Sequence, residues 1–369
     1  MSRPTVVVAG MGDVGVLTAM HLAPHVDVVG VGPSPGLVSG QELGLRLSDP
    51  LRWSRDYWVP YDRFRRLDGV EIVHGTVDSV DARDRTVAVT AADGGRTTRS
   101  WDALVIATGV TNGFWRSPDV ADADEVDRRL RAHHETIGAA RTIAVVGGGA
   151  AAVAAAAGIA ARTPTATVGL WFPGERALVG HHVRTWSTVR TRLVDLGVSL
   201  HPGHRAVVPM GADRADIGPG VVEWSTGQDP VAADAVVWAI GRATPHTGWL
   251  PDEILDPAGF VRVDEHLRVP GMPHVFAVGD VAATDVLRGS ARNRADRLVA
   301  RNVRADLAGR RLRRYRPRST RWGSVLGPQD DGLEIFTPTG HGIRIPRWAH
   351  DRVLRPWVVS RGIYGGIRD

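Results

Sequence analysis

Two glycine turns carry the chemistry this sequence offers. The first lies in T-V-V-V-A-G-M-G-D-V-G, residues 5–15, where Gly10, Gly12 and Gly15 fall at G-x-G-x-x-G spacing. In such a turn each glycine has a task. Gly10 permits the tight bend, Gly12 lets the backbone approach a pyrophosphate, and Gly15 lets helix and strand pack closely. Asp13 and Val14 then open a helix whose positive end faces the anion. The second turn is Gly147-Gly148-Gly149-Ala150-Ala151-Ala152, with Ala152 in place of the third glycine.

Both turns need a strand before them and a helix after them. Val6–Val8 is a β-branched run suited to a buried parallel strand, and Val16–Ala23 reads as a helix stopped by Pro24. His25–Val31 reads as the next strand. Thr142–Val146, the helix Val153–Ala161 and the strand Thr167–Phe172 repeat the unit about one domain downstream. One glycine turn can be packing alone; two in the same context are harder to dismiss.

Between the copies, Leu37–Trp58 is a mixed loop and helix region rich in Arg, Trp and Tyr. Val70–Val77, Thr86–Thr90 and Thr97–Trp101 form a β-meander, with Asp93-Gly94-Gly95 as a hairpin turn. Trp101–Gly109 is an apolar strand ending in Ala107-Thr108-Gly109, and Ser117–Ala140 is a polar helix with an acidic start. After the second copy come two strands with small-residue ends, Ala235–Gly241 and Val275–Val278, the latter followed by Gly279-Asp280. A helix over Asp285–Leu307 and a basic linker follow. The composition shifts near Pro317 to a module with a hairpin at Leu333–Ile345 and a helical stretch, Arg347–Arg361, expected to break at Pro356.

The chain has 369 residues and no cysteine, so a disulfide scaffold, a Cys metal site and a C-x-x-C redox pair are excluded. No lysine occurs either, which excludes a Schiff base. The pI near 10.4 raises a nucleic-acid hypothesis, but the late arginines lack interleaved aromatics, so no nucleic-acid partner is expected. The chain enters its first strand almost at once, which predicts no secretory leader, and no run is long enough to span a membrane. A cytoplasmic protein is expected, with peripheral contact at the inner face of the membrane as the most it would make.

The order of these parts resembles the two-dinucleotide-binding-domain flavoproteins, in particular the type II NADH dehydrogenase and apoptosis-inducing-factor-like quinone reductase branch. The resemblance covers about residues 5–310 and rests on Gly10/Gly12/Gly15, Ala107-Thr108-Gly109, Gly147/Gly149/Ala152, Ala239-Ile240-Gly241 and Ala277-Val278-Gly279-Asp280. It implies an α/β fold with two Rossmann-like dinucleotide-binding domains. An FAD domain, residues 1–115 and 245–318, would receive an inserted NAD(P) domain, 116–244, and 319–369 would form a C-terminal docking or dimerisation module. It further implies FAD, NAD(P)H as co-substrate, a quinone-like small-molecule electron acceptor and a homo-oligomer. Gly10–Gly15 would hold the FAD pyrophosphate, Thr108 and Gly109 would lie against the flavin, and Asp280 would accept from the ribityl hydroxyls. Asp280 could equally cap a following helix, and Thr108-Gly109 could be a plain turn. Arg46 lies where that branch places a basic residue near the cofactor, though taken alone it reads as a surface arginine.

The sequence also departs from that pattern. Strand two ends in Gly30, Val31, Gly32 and Pro33, without the acid that binds the FAD ribose; Ser34 could donate one bond. The second copy ends in Trp171 and Phe172, with Arg176 near enough to meet a 2′-phosphate, which with Ala152 leans towards NADPH. Ala154 stands where many relatives carry a glutamate beside the nicotinamide, and Ala291–Asp296 is no Gln-rich quinone helix. These losses support a rival reading, a non-catalytic nucleotide or flavin sensor or scaffold.

Overall fold

The structure, a computed structural model, describes residues 3–39, 42–111, 119–208, 216–240, 243–285, 294–317 and 323–368. The valine run becomes β1 (Thr5–Ala9), and α1 (Asp13–Leu22) follows the first glycine turn. β2 (Asp27–Gly32) lies parallel to β1. The aromatic region resolves into β3 (Gly36–Val38), α2 (Leu43–Ser48), α3 (Pro50–Tyr57) and β4 (Trp58–Pro60). Asp49 separates the two helices: its carboxylate accepts from the Arg52 N–H, and Pro50 follows where an N–H would go unused.

The meander is β5 (Val70–Asp81), β6 (Thr86–Ala91) and β7 (Arg96–Ser100), followed by β8 (Ala103–Ile106) and the short β9 (Val110–Thr111). β5 runs further than its alternation suggested, because a bulge between Val77 and Ser79 resets its register against β6. α4 (Ala123–Ala139) is capped by Asp122, whose carboxylate accepts from the Glu125 N–H. The repeat then appears as β10 (Thr142–Val146), α5 (Ala150–Arg162) and β11 (Thr167–Trp171). α6 (Val183–Asp195), β12 (Ser199–His201), β13 (Gly218–Val222) and β14 (Val231–Trp238) complete that unit. β15 (Thr244–Pro245) leads out of it, and β16 (Val275–Ala277) and α7 (Ala295–Leu307) follow.

Two sheets organise the chain. The first has the order β16-β8-β1-β2-β5-β6-β7, parallel from β16 to β5 and antiparallel through the meander. Thus β16, far downstream, lies beside β8. The second sheet has the order β12-β11-β10-β14-β13, with only β13 antiparallel. The strands buried on both faces, such as Val6–Val8 and Ile143–Val146, are continuous apolar runs for that reason. β9 and β15 pair antiparallel where the chain passes between the two sheets.

The C-terminal part is a three-stranded sheet, β17 (Pro328–Gln329), β18 (Gly332–Phe336) and β19 (Gly342–Pro346). Val325, Leu326 and Phe336 join the core of the second unit. Its chain then returns to the first: Phe64 and Tyr364 rings lie 5.2 Å apart, and Arg368 pairs with Asp68. Between them α8 (Arg347–Ala349) continues as a π-helix, His350–Ile363. The expected break at Pro356 is absent. The wider i to i+5 winding places Pro356 inside the helix. A second expectation also fails: among the described residues the helix after Gly279-Asp280 begins at Ala295, and no helix starts at Val281 for Asp280 to cap.

Candidate active site

The first glycine turn is built by close backbone approach. Gly10 has φ +102°, and a Cβ there would lie 2.6 Å from the Thr108 Cα and strike the Ala107 carbonyl. A Cβ on Gly15 would strike the Gly10 carbonyl oxygen. A Cβ on Gly12, the N-cap of α1, would stand in open space. No side chain caps this helix, so its first N–H groups face the opening. Asp13 accepts from the Ser39 hydroxyl at 2.7 Å, and Val14 packs against Gly279, whose φ of +83° brings Asp280 next to the turn.

These residues line one cavity of about 1530 Å³, larger than the few hundred to about 1,000 Å³ of a drug-sized ligand site. Gly10, Gly12, Asp13, Val14, Ala107, Thr108, Gly109, Gly279 and Asp280 all border it. So do Arg46, and Ala150, Ala151 and Ala154 of α5. Arg46 is buried, with its guanidinium 4.9 Å from the Trp53 ring centre, and is therefore not the surface arginine its position alone suggested. Its burial follows from α2, whose six residues are all buried.

Thr108 and Gly109 form more than a turn. The Thr108 hydroxyl donates to the His246 carbonyl at 2.8 Å, and the His246 N–H donates to the Gly109 carbonyl at 3.1 Å. The His246 ring places Nδ1 2.9 Å from the Thr108 carbonyl and Nε2 2.7 Å from the Thr111 hydroxyl. Nδ1 is therefore the protonated nitrogen towards that carbonyl. This histidine ties the two crossover strands together at the cavity wall. The sequence reading missed it; its only local signal was its place shortly after the Ala239-Ile240-Gly241 strand end.

Two tyrosines were also missed. The buried Tyr61 hydroxyl donates to the Met11 carbonyl at 2.7 Å, which steadies the turn from below. Tyr364 reaches the cavity from the C-terminal part. Burial, then the charge of Asp13, pushes both phenols above their ordinary range. The space where β2 lacks its acid is filled: a Cβ on Gly30 would meet the Met11 sulfur at 2.6 Å, and one on Gly32 the Met11 Cβ at 2.9 Å. Ser34 lines the cavity, but its Oγ is buried.

The second glycine turn has the same construction. Gly147 has φ +145°, a Cβ on it would strike the Ala239 carbonyl, and Gly149 caps α5 with open space around it. Ala152 is fully buried, and its methyl fills the gap that a third glycine would leave. Arg176 does not point into this turn. Its guanidinium lies 3.2–3.4 Å from the carbonyls of Leu178, Val179 and His181, and the Leu178 N–H donates to the Gly148 carbonyl. Phe172 is buried against the Trp186 edge at 5.6 Å, and Trp171 stacks on His201 at 4.4 Å. The end of β11 is thus apolar. Gly241 lies outside the described residues.

Two mainly parallel sheets, each with a glycine turn leading into a helix that no side chain caps, and the starts of both helices bordering one cavity, describe a two-dinucleotide-binding architecture. The chain belongs to the pyridine nucleotide-disulphide oxidoreductase family, whose model matches residues 4–303. An oxidoreductase of Pestalotiopsis fici, ptaL, is 26% identical over 312 residues, 83% of this chain and 77% of that protein. An NADH dehydrogenase-like protein of Mycobacterium tuberculosis is 29% identical over 310 residues, 75% of this chain and 72% of its own. The sulfide:quinone oxidoreductase of Aquifex aeolicus has the same fold, with a TM-score of 0.72, 17% identity, and coverage of 99% of this chain and 92% of that one. The protein is accordingly an NAD(P)H oxidoreductase of that family, with FAD as its cofactor. Membership decides against the sensor reading. The residues fit FAD: the first turn leaves room at Gly12 for phosphate, the helix end is uncapped, and Asp280 offers an acceptor to hydroxyl groups.

Proposed function

We propose that this enzyme takes hydride from NAD(P)H at the second glycine turn, through FAD held by the first, and reduces a quinone-like acceptor. In this reading residues 1–115 and 245–318 hold FAD, 116–244 hold the nucleotide, and 319–369 close the cavity. The observation that carries it is the continuity of the cavity. One wall is Gly10–Val14 with Asp280, a second is Ala150, Ala151 and Ala154, and a third is apolar, with Leu333, Ile335, Leu354, Trp357 and Ile363. A nucleotide and a flat apolar acceptor could both reach the same centre.

FAD supplies the hydride and electron chemistry when bound. The chain positions and shields it. Gly12 and the α1 N–H groups would receive the pyrophosphate, with Gly15 letting α1 pack close behind the turn; Gly147, Gly149 and Ala150 would do the same for the nucleotide, and Asp280 would accept from the ribityl chain. Thr108 and Gly109, fixed by His246, would form the wall on the flavin ring's side. The C-terminal helix keeps bulk water from the centre and offers an apolar face to the acceptor.

The same helix leaves Trp348, Val353, Trp357 and Val358 exposed, beside Arg352, Arg355 and Arg361. Rings and arginines on one short surface suit the headgroup layer, so we place any peripheral membrane contact, or contact between copies, here. Among the described residues no helix is long and apolar enough to cross a membrane. The test is an absorption spectrum of the purified protein and anaerobic titration with NADH and NADPH. Reoxidation by a soluble quinone, an artificial dye and oxygen is then compared. Visible flavin bands, bleaching by either nucleotide and fastest recovery with the quinone are expected. Recovery with oxygen alone would refute the acceptor assignment.

A further inference from the structure

The nucleotide wall of the cavity is chemically poor. Where α5 borders it, the only side chains are the methyl groups of Ala150, Ala151 and Ala154. A nicotinamide carries a carboxamide with two N–H donors, and those donors need an acceptor. The acceptor can be found by following the helix that packs on α5.

α2 crosses α5 in backbone contact. A Cβ on Gly44 would fall on the Ala154 carbonyl and lie 3.3 Å from the Ala154 Cβ; one on Gly158 would lie 2.7 Å from the Gly44 carbonyl and 3.0 Å from the Ser48 hydroxyl. The pairing of earlier with earlier and later with later residues means that both helices start at the same end. Glu42, which precedes α2, therefore sits beside the first turn of α5. It lines the cavity, and its carboxylate lies against Gly327, where the C-terminal part closes over it. Its φ of +52° is a left-handed conformation, uncommon for a residue other than glycine and concentrated at functional sites.

The other described carboxylates bordering the cavity are Asp13, Asp78, Asp119, Asp280 and Asp296, and Asp119 stands two residues before Ala121, whose N–H donates to the Pro33 carbonyl just past β2. Asp13 receives the Ser39 hydroxyl at the first turn, Asp280 is beside Gly279, Asp78 receives Thr90, and Asp296 faces His21. We propose that Glu42, contributed by the flavin-side helix, accepts the hydrogen bond of the nicotinamide carboxamide that α5 cannot accept at Ala154. It is a positioning residue for the hydride donor, and it rests on the reading that NAD(P)H binds at Gly147–Ala152. A carboxylate is an acceptor only, and a charged acceptor makes the stronger bond to an amide N–H.

The test uses the flavin-loaded enzyme with Glu42→Gln and Glu42→Ala. Each is mixed anaerobically with NADH, NADPH and the reduced acetylpyridine analogues, in which a methyl ketone replaces the amide. Flavin content and reduction by dithionite are read on the same samples. With the natural nucleotides, Glu42→Ala should weaken binding by about tenfold. Glu42→Gln, whose side-chain carbonyl still accepts, should weaken it less. With the ketone analogues all three proteins should bind alike. An equal loss for amide and ketone, or no loss for either, overturns the assignment. If Glu42→Ala sheds its flavin, the Glu42→Gln comparison decides by the same criterion. Wild-type flavin that dithionite bleaches but neither nucleotide does would instead overturn the proposed function.

Discussion

Gly44 of α2 touches the Ala154 backbone of α5, with no room between them for a methyl group. This contact fixes the α2 side of the cavity against the α5 side. Gly44→Ala should force the helices apart and destabilise the protein by about 1–3 kcal/mol, the usual cost of overpacking. Thermal unfolding and nucleotide affinity should change together. A variant with unaltered melting and unaltered affinity would show that the contact does not matter.

Gly15→Ala should be more damaging, because the new methyl meets the Gly10 carbonyl, which cannot move aside as a side chain could. The expected result is a folded or partly folded protein with little bound FAD, read as the ratio of visible to ultraviolet absorbance. Gly12→Ala has space for its methyl and should keep the fold while weakening flavin retention, because it intrudes where the phosphate approaches. Equal flavin content in wild type and both variants would remove the phosphate role of this turn.

Arg176→Ala should weaken NADH and NADPH to the same degree. The guanidinium holds three carbonyls of its own loop, so its loss loosens the cover over Gly148 without removing a phosphate ligand. Competition between the two nucleotides checks this. A selective loss of NADPH would restore the phosphate-binding role that its sequence position suggests.

The phenols of Tyr57, Tyr61 and Tyr364 are all held above their ordinary value of 10.0, mainly by burial; Glu42 adds to the effect at Tyr57, and Asp13 at the other two. A raised phenol favours the neutral form in the folded state. Its contribution to stability is fully present below the ordinary value and is lost as the pH rises above it. Alkaline titration should show these three ionising together with unfolding, as a steep rise in phenolate absorbance. A gradual rise near pH 10, with the fold intact by circular dichroism, would contradict their burial.

Much of this architecture was legible because it depends on local rules. A β-branched run, a glycine turn and a helix recur at Thr5 and at Thr142, and the backbone collisions at Gly10, Gly15 and Gly147 show why glycine stands there. What could not be read was set by distant partners. Arg46 resembles a surface residue until α2 is seen packed between α3 and α5, and Arg176 resembles a phosphate ligand until its loop folds back onto it. His246 acquires its role only when β9 and β15 meet, and Glu42 only when α2 lies along α5. The length of α7 and the unbroken winding through Pro356 are tertiary outcomes that neither propensity nor periodicity encodes.

The closure of the cavity by Tyr364 sets an order of events. Asp13 and Gly15 leave the ribosome hundreds of residues before Tyr364 does, and the wall at β16 and Asp280 arrives in between. During synthesis the first glycine turn is a shallow open ledge, without the strand beside β8 or the phenol opposite Asp13. If the first glycine turn holds the flavin as proposed, its capture with final affinity is a late step in biogenesis, completed after the polypeptide has been made beyond residue 364 rather than as the amino-terminal unit emerges.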